Sequence, residues 1–106
     1  EAKGARIADR GAVFAGAEIL LQVRAAGAAT EGGAADLATL RAGQIVIAAT
    51  DPLGGAEAAR GYAEKGVTLF GMELVPRITR AQSMDILSSQ AMVAGYKAVL
   101  MAFFKS

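Results

Sequence analysis

Three short apolar runs, separated by stretches with helical character, constrain the fold of this chain more than any other feature. The runs are Glu18–Arg24, Gln44–Ala49 and Val67–Met72. Apolar runs of this length are typical of strands buried on both faces of a sheet. Because helices separate consecutive strands, the strands should run parallel through crossover connections. The sequence therefore predicts an α/β fold with a parallel sheet of at least three strands flanked by helices.

The stretches between the runs carry signals that start and stop helices. Asp36 is predicted to cap a short helix over Leu37–Arg41, and Gly43 is predicted to close it. The second stretch, Ala56–Lys65, is predicted to be a helix that ends at Gly66. The order of elements is therefore strand, helix, strand, helix, strand.

A basic loop follows the third run. Pro76 has no backbone N–H and cannot continue a central strand, so the chain should leave the sheet there. Thr79 and Gln82 have the spacing of a capping box, which predicts that a helix begins at this point. Arg77 and Arg80 would then lie at the positive end of the helix dipole, where cations are unfavourable. Their presence suggests a functional role at the carboxyl ends of the strands, where α/β folds bind ligands.

The last predicted element is a long helix from about Ala81 to Phe104 that is apolar on nearly every side. Helices of this kind are buried between partners. We expect a second domain or a second copy to cover one face; the alternative is that the helix packs across its own sheet. The apolar run Ala91–Phe104 contains Lys97 and is shorter than the roughly 20 residues of a bilayer span, so we do not predict a membrane helix.

Composition excludes several classes of site. The chain has no Cys and no His, which argues against disulfides, zinc sites and His-based acid/base catalysis, and we predict no metal site. A net charge of +1, with acids and bases spread along the chain, argues against a nucleic-acid partner. With 106 residues there is room for one domain.

Polar side chains recur at helical spacing in the first turns of the last element: Gln82, Asp85, Ser88 and Ser89. An amide, a carboxylate and hydroxyls on one side of a helix could hydrogen-bond a ligand with both donors and acceptors, such as a carboxamide or a ribose. The alternative is purely structural. In it, Gln82 only closes the capping box and Asp85 only favours the helix N-terminus.

The same region resembles a known family. The segments Met72-Glu-Leu-Val-Pro-Arg-Ile-Thr-Arg-Ala-Gln-Ser-Met-Asp-Ile-Leu-Ser-Ser-Gln90 and Ala94-Gly-Tyr-Lys-Ala-Val99 are similar to the alpha subunit of proton-translocating NAD(P)+ transhydrogenase. The resemblance is to its NAD(H)-binding component, in the N-terminal domain shared with alanine dehydrogenases. The match is specific over Val67–Leu100, and two earlier stretches fit the family's strand pattern, Glu18–Arg24 and Leu40–Ala48.

The resemblance implies a Rossmann-like or flavodoxin-like N-terminal domain, facing an NAD-binding Rossmann domain across a cleft. It implies hydride transfer between NAD(H) and NADP(H), the latter on a partner component, coupled to proton translocation through a membrane-embedded subunit. It further implies a homodimer that is cytoplasmic and peripheral to the inner or plasma membrane. Residues 1–106 would be a partial N-terminal domain, and we expect such a piece to be inactive alone and to bind NAD(H) weakly, because the Rossmann domain is absent from it.

The resemblance also assigns residues. Arg77, Gln82 and Asp85 match the polar positions of a loop over the nicotinamide, Ile78, Thr79 and Arg80 lie within that loop, and Ser88 matches a nearby hydroxyl. Gln82 and Asp85 would contribute to catalysis by positioning alone. Two alternatives stay open: an alanine dehydrogenase-like oxidoreductase fragment, whose chemistry typically uses a His that this chain lacks, and a non-catalytic interaction or dimerisation module.

Overall fold

A computed structural model describes residues 3–29 and 31–105 of the chain. Contacts divide the chain into two compact units that meet in sequence at Gly71 and Met72. The elements of the first unit, in chain order, are α1 (Arg10–Gly16), β1 (Ile19–Arg24), α2 (Gly33–Thr39), β2 (Ile45–Ala49), α3 (Ala56–Glu64) and β3 (Thr68–Gly71). The second unit holds two 3₁₀ segments, Met72–Leu74 and Thr79–Met84, and the helix α4 (Ile86–Lys105).

The three strands form one parallel sheet in the order β1-β2-β3. Leu20 lies beside Val46, which lies beside Leu69. These side chains share one face of the sheet, because alternate residues of a strand point to the same side. They join a buried cluster with Phe14 of α1 and Tyr62 of α3. The prediction of an α/β fold with a parallel sheet and flanking helices is confirmed.

The opposite face of the sheet is exposed, which corrects the prediction that the strands are buried on both faces. In β1, Leu21 and Val23 are 75% and 90% exposed, and Phe70 of β3 is 55% exposed. The strand order gives a physical reason. Both crossovers step in the same direction along the sheet, and right-handed connections then place their helices on the same face.

A buried amide ties α1 to the start of β2. The Gln44 side chain is 3% exposed and donates hydrogen bonds of 2.8 Å to the carbonyl oxygens of Phe14 and Ala17. Its oxygen accepts a bond of 2.7 Å from the Arg41 N–H. One side chain therefore satisfies three backbone groups, which is the condition under which a buried polar group is tolerated.

The helix α2 begins earlier than predicted. Its N-cap is Gly32, with a φ of 73°, and Asp36 lies in the first turn instead of preceding the helix. Gly33 packs so closely on Ala26 that a Cβ would lie 3.1 Å from the Ala26 Cα. The Asp36 carboxylate instead accepts hydrogen bonds from Arg10 across the unit, which lower its pKa below the usual range.

The ends of α2 and α3 agree unequally with their predicted glycine stops. The helix α2 ends at Thr39, short of Arg41, and Gly43 lies in the turn before β2 with a φ of 83°. The helix α3 ends at Glu64, and Gly66 adopts a φ of 67° just beyond it, as predicted. Gly66 is therefore a stop of the expected kind, since a positive φ carries little penalty only at glycine.

The long helix α4 begins at Ile86, five residues later than predicted, and spans 20 residues. Its apolar side chains are largely exposed, among them Met92, Val93, Tyr96, Phe103 and Phe104. The segment Ile86–Phe104 has 19 residues and a mean hydropathy of 1.3, so by length and composition alone it could cross a membrane. This corrects the estimate of its length, which counted the run from Ala91. The surface that covers α4 stays a prediction.

Candidate functional site

The loop after β3 leaves the sheet as predicted, although β3 ends at Gly71 and a 3₁₀ turn over Met72–Leu74 replaces the expected last strand residue. Beyond Pro76, the Ile78 N–H donates to the Pro76 carbonyl at 2.9 Å, which bends the chain sharply. Ile78 itself is extended, with a φ of −118°. The chain is thereby directed into the next segment.

The second 3₁₀ segment, Thr79–Met84, replaces the predicted first turns of an α-helix. The capping box between Thr79 and Gln82 does not form, because the N-cap position belongs to Ile78, whose side chain cannot accept a hydrogen bond. A 3₁₀ helix has three residues per turn, so residues three apart stack on one side. This geometry aligns Thr79 with Gln82, and Ala81 is buried.

Asp85 ends the 3₁₀ segment and caps α4. Its Oδ1 accepts hydrogen bonds from the backbone N–H groups of Leu87 at 2.9 Å and Ser88 at 3.2 Å. Its Oδ2 accepts a bond of 2.7 Å from the Ser88 hydroxyl. The helix therefore starts at Ile86 because the residue before it is an aspartate, one of the best N-caps.

The charge state of Asp85 follows from these contacts. The pKa of the Asp85 carboxyl lies below its usual range, chiefly because the Ser88 hydroxyl donates to it, helped by the Ser88 and Leu87 N–H groups and by the charge of Arg77. The carboxylate is thus ionised at neutral pH. An ionised carboxylate only accepts hydrogen bonds, which fixes the direction of the bond from Ser88.

These elements enclose a cavity of about 320 Å³. Its lining consists of Arg77, Ile78, Thr79, Gln82, Asp85 and Ser88. All six belong to the predicted set of cofactor-binding residues, and four of them follow each other at intervals of three. Arg80 falls outside that interval and does not line the cavity. Because α4 starts well beyond Arg77 and Arg80, their predicted conflict with its dipole is removed.

Ser89 is oriented differently from Ser88. Its hydroxyl donates to the backbone carbonyl oxygens of Asp85 at 3.3 Å and Ile86 at 3.2 Å, within α4. It does not line the cavity, so the expected convergence of four polar side chains holds for Gln82, Asp85 and Ser88 only. Within residues 3–29 and 31–105, no cluster of acidic side chains is arranged to hold a metal ion.

Sequence reasoning missed no lining residue of this cavity but misjudged why the residues converge. The signal was present as the spacing of three shared by Thr79, Gln82, Asp85 and Ser88. That spacing fits a 3₁₀ turn followed by a capped helix at least as well as it fits one continuous α-helix.

Comparison with known proteins agrees with the resemblance noted in the sequence. Residues 1–94 match the family described as the alanine dehydrogenase/PNT N-terminal domain. NAD(P) transhydrogenase subunit alpha of Cereibacter sphaeroides is 43% identical over 91 residues, covering 86% of this chain and 16% of that protein. In Rhodospirillum rubrum, the first of the polypeptides that make up NAD(P) transhydrogenase subunit alpha is 37% identical over 100 residues, covering 93% of this chain and 26% of that protein.

A solved structure is similar over nearly the whole chain. The crystal structure of transhydrogenase from Sinorhizobium meliloti superposes with a TM-score of 0.81 at 46% identity, covering 95% of this chain and 28% of that one. The chain thus spans between about a sixth and somewhat over a quarter of these relatives. From its match to the family model and its identity to transhydrogenase alpha subunits, the chain belongs to the alanine dehydrogenase/transhydrogenase N-terminal domain family.

Proposed function

We propose that this chain is the nicotinamide-side portion of an NAD(H)-binding transhydrogenase alpha subunit, which transfers hydride between NAD(H) and NADP(H) in an enzyme coupled to proton translocation. The observation that carries the proposal is the cavity in which Arg77, Gln82, Asp85 and Ser88 converge, in a chain whose relatives are transhydrogenase alpha subunits.

The size of the cavity supports a ring-sized occupant. At about 320 Å³ it lies at the lower end of ligand pockets, which measure roughly 300–1,000 Å³. It therefore suits a nicotinamide ring and its carboxamide better than a whole dinucleotide. The pyrophosphate and adenosine would then be held by other elements, for which a Rossmann domain is the expected partner.

The lining offers complementary contacts for a carboxamide on a flat ring. Arg77 supplies N–H donors, Gln82 supplies both a donor and an acceptor, and the Asp85 and Ser88 oxygens supply acceptors. Ile78, which is 55% exposed, supplies an apolar surface against which a ring face can lie. Nicotinamide, when bound, supplies the hydride chemistry, and the side chains of this site hold it in place without forming a bond to it.

Positioning of this kind can account for a large catalytic effect. Holding donor and acceptor in the correct geometry is worth about 7–11 kcal/mol of the barrier when the reacting atoms approach to roughly 3–3.5 Å. Gln82 and Asp85 are proposed as positioning residues in this sense. NADP(H) is proposed to be bound by a separate component, and proton movement to involve a membrane-embedded subunit, with the alpha subunit a peripheral homodimer on the cytoplasmic side.

The proposal is tested in a full-length alpha subunit that carries this sequence, assembled with the other transhydrogenase components. Gln82→Asn keeps the amide but withdraws it by one methylene, so we expect hydride transfer between NADH and an NADP+ analogue to fall at least about ten-fold, as when a well-aligned polar contact is lost. Gln90→Asn is the matched control, because Gln90 is exposed on α4 and does not line the cavity.

The two variants separate an enzymatic from a purely assembling role. Loss of turnover in Gln82→Asn with unchanged folding and assembly supports the proposal, whereas equal turnover in both variants contradicts it. The exposed apolar side chains of α4 favour an additional or alternative role in assembly. Under that alternative, Gln82→Asn would leave turnover unchanged.

A further inference from the structure

The hydrogen-bonding capacity of Ser88 is already half used before any ligand binds. Its hydroxyl donates its one hydrogen to Asp85 Oδ2 at 2.7 Å. A hydroxyl has one hydrogen and two lone pairs, so Ser88 can offer a ligand only an acceptor. The contact is local and unambiguous, because the partner carboxylate cannot itself donate.

Asp85 is fixed in the same way. Its Oδ1 accepts from the N–H groups of Leu87 and Ser88 at the start of α4, and its Oδ2 accepts from Ser88. Three bonds from one helix turn orient the carboxylate. The side of the cavity formed by Asp85 and Ser88 is therefore an all-acceptor surface that carries a negative charge.

The facing side of the lining has the opposite character. Arg77 contributes only donors, and Gln82 can present either group. A carboxamide matches this arrangement at both ends: its carbonyl oxygen accepts from the donor side, and its NH₂ group donates to the acceptor side. A carboxylate of the same shape can satisfy Arg77 with one oxygen, but its other oxygen would face acceptors and a negative charge.

We infer that Asp85 acts through Ser88 to make this site selective for the amide, so that it binds a nicotinamide dinucleotide and rejects the corresponding nicotinic acid dinucleotide. The inference rests on the proposed function. Ser88 is the specificity-determining contact, and Asp85 is a positioning residue that sets the direction of the Ser88 hydrogen. Sites built to hydrogen-bond an N–H group discriminate strongly against ligands that lack it, because the buried acceptors are left unpaired.

The test compares binding of NAD+ and of nicotinic acid adenine dinucleotide to the full-length alpha subunit by calorimetry at neutral pH. We expect the wild-type protein to prefer NAD+ by about 10- to 100-fold. Ser88→Ala removes the acceptor and should reduce that preference. Ser89→Ala is the matched control, since its hydroxyl bonds to carbonyl groups of α4 outside the cavity.

Asp85→Asn is the more informative variant. Asparagine caps helices as well as aspartate does, so the amide oxygen can keep the bonds to Leu87 and Ser88 N–H groups. Its NH₂ group would then donate to the Ser88 oxygen, which frees the Ser88 hydrogen to point at the ligand. We expect the preference for NAD+ to fall towards one, with circular dichroism showing that the helix is intact.

The outcomes distinguish the two proposals. Tight binding of NAD+ with equal binding of the acid dinucleotide overturns the inference but leaves the proposed function standing. A preference that persists unchanged in both Ser88→Ala and Asp85→Asn also overturns it. Failure of the wild-type subunit to bind NAD+ overturns both.

Discussion

Gln44 offers a sharp test of how this small unit is held together. Replacing it by methionine, which has a similar length, removes the bonds to Phe14, Ala17 and Arg41 while keeping the volume nearly constant. Three backbone groups would lose their partners, one of them in a buried contact and two in partly buried ones. An unpaired buried group costs about 1–3 kcal/mol and a partly buried one less, so we expect a loss of about 2–4 kcal/mol in the free energy of unfolding.

Urea unfolding followed by far-ultraviolet circular dichroism measures this loss, and Gln90→Met on the exposed side of α4 is the control. Gln44→Glu adds a second arm. A carboxylate can accept from Arg41 but cannot donate to the two carbonyl oxygens, so this variant should be less stable than Gln44→Met at neutral pH and should recover as the pH falls and the group becomes protonated. A loss below about 0.5 kcal/mol in Gln44→Met, the range of ordinary surface changes, would refute the reasoning.

Two further predictions concern backbone geometry and pH. Gly27→Ala should prevent the native fold, because its Cβ would lie 2.0 Å from the Thr50 carbonyl oxygen at a φ of 106°, whereas Gly95→Ala meets nothing within 4 Å and should stabilise α4 by about 0.5–1 kcal/mol; thermal unfolding of both variants checks this. The Arg10 hydrogen bond lowers the pKa of Asp36, so its stabilising effect is present above the usual carboxyl pKa of about 3.9 and is lost as the pH falls through the lowered value. In Arg10→Met the Asp36 pKa, followed by NMR titration, should rise towards that usual value, and an unchanged pKa would show that Arg10 is not the cause.

Periodicity and glycine positions were sufficient to predict the sheet. The runs at Glu18–Arg24 and Gln44–Ala49 became β1 and β2 within a residue of their expected bounds. Their parallel pairing followed from the helices between them, because a short connection cannot join parallel strands. Which face would be covered depends on strand order and crossover direction, which no local pattern around Leu21 or Val23 encodes.

Local signals failed where two of them competed. Thr79 and Gln82 have the spacing of a capping box, and Asp85 is itself a strong N-cap. The structure uses Asp85, which accepts from two N–H groups and from Ser88, and the preceding residues form a 3₁₀ segment. The residues lining the cavity were nevertheless predicted, because they came from a resemblance over the whole segment, which does not depend on where the helix begins.

The exposed sheet face has a thermodynamic consequence. Leu21, Val23 and Phe70 are already in contact with water in the folded chain, so unfolding hydrates less new apolar surface than the sequence composition suggests. The heat-capacity change and the urea dependence of unfolding both scale with newly exposed surface. Both quantities should therefore be smaller for this chain than for a fully buried sheet of the same length, and covering the face should increase them.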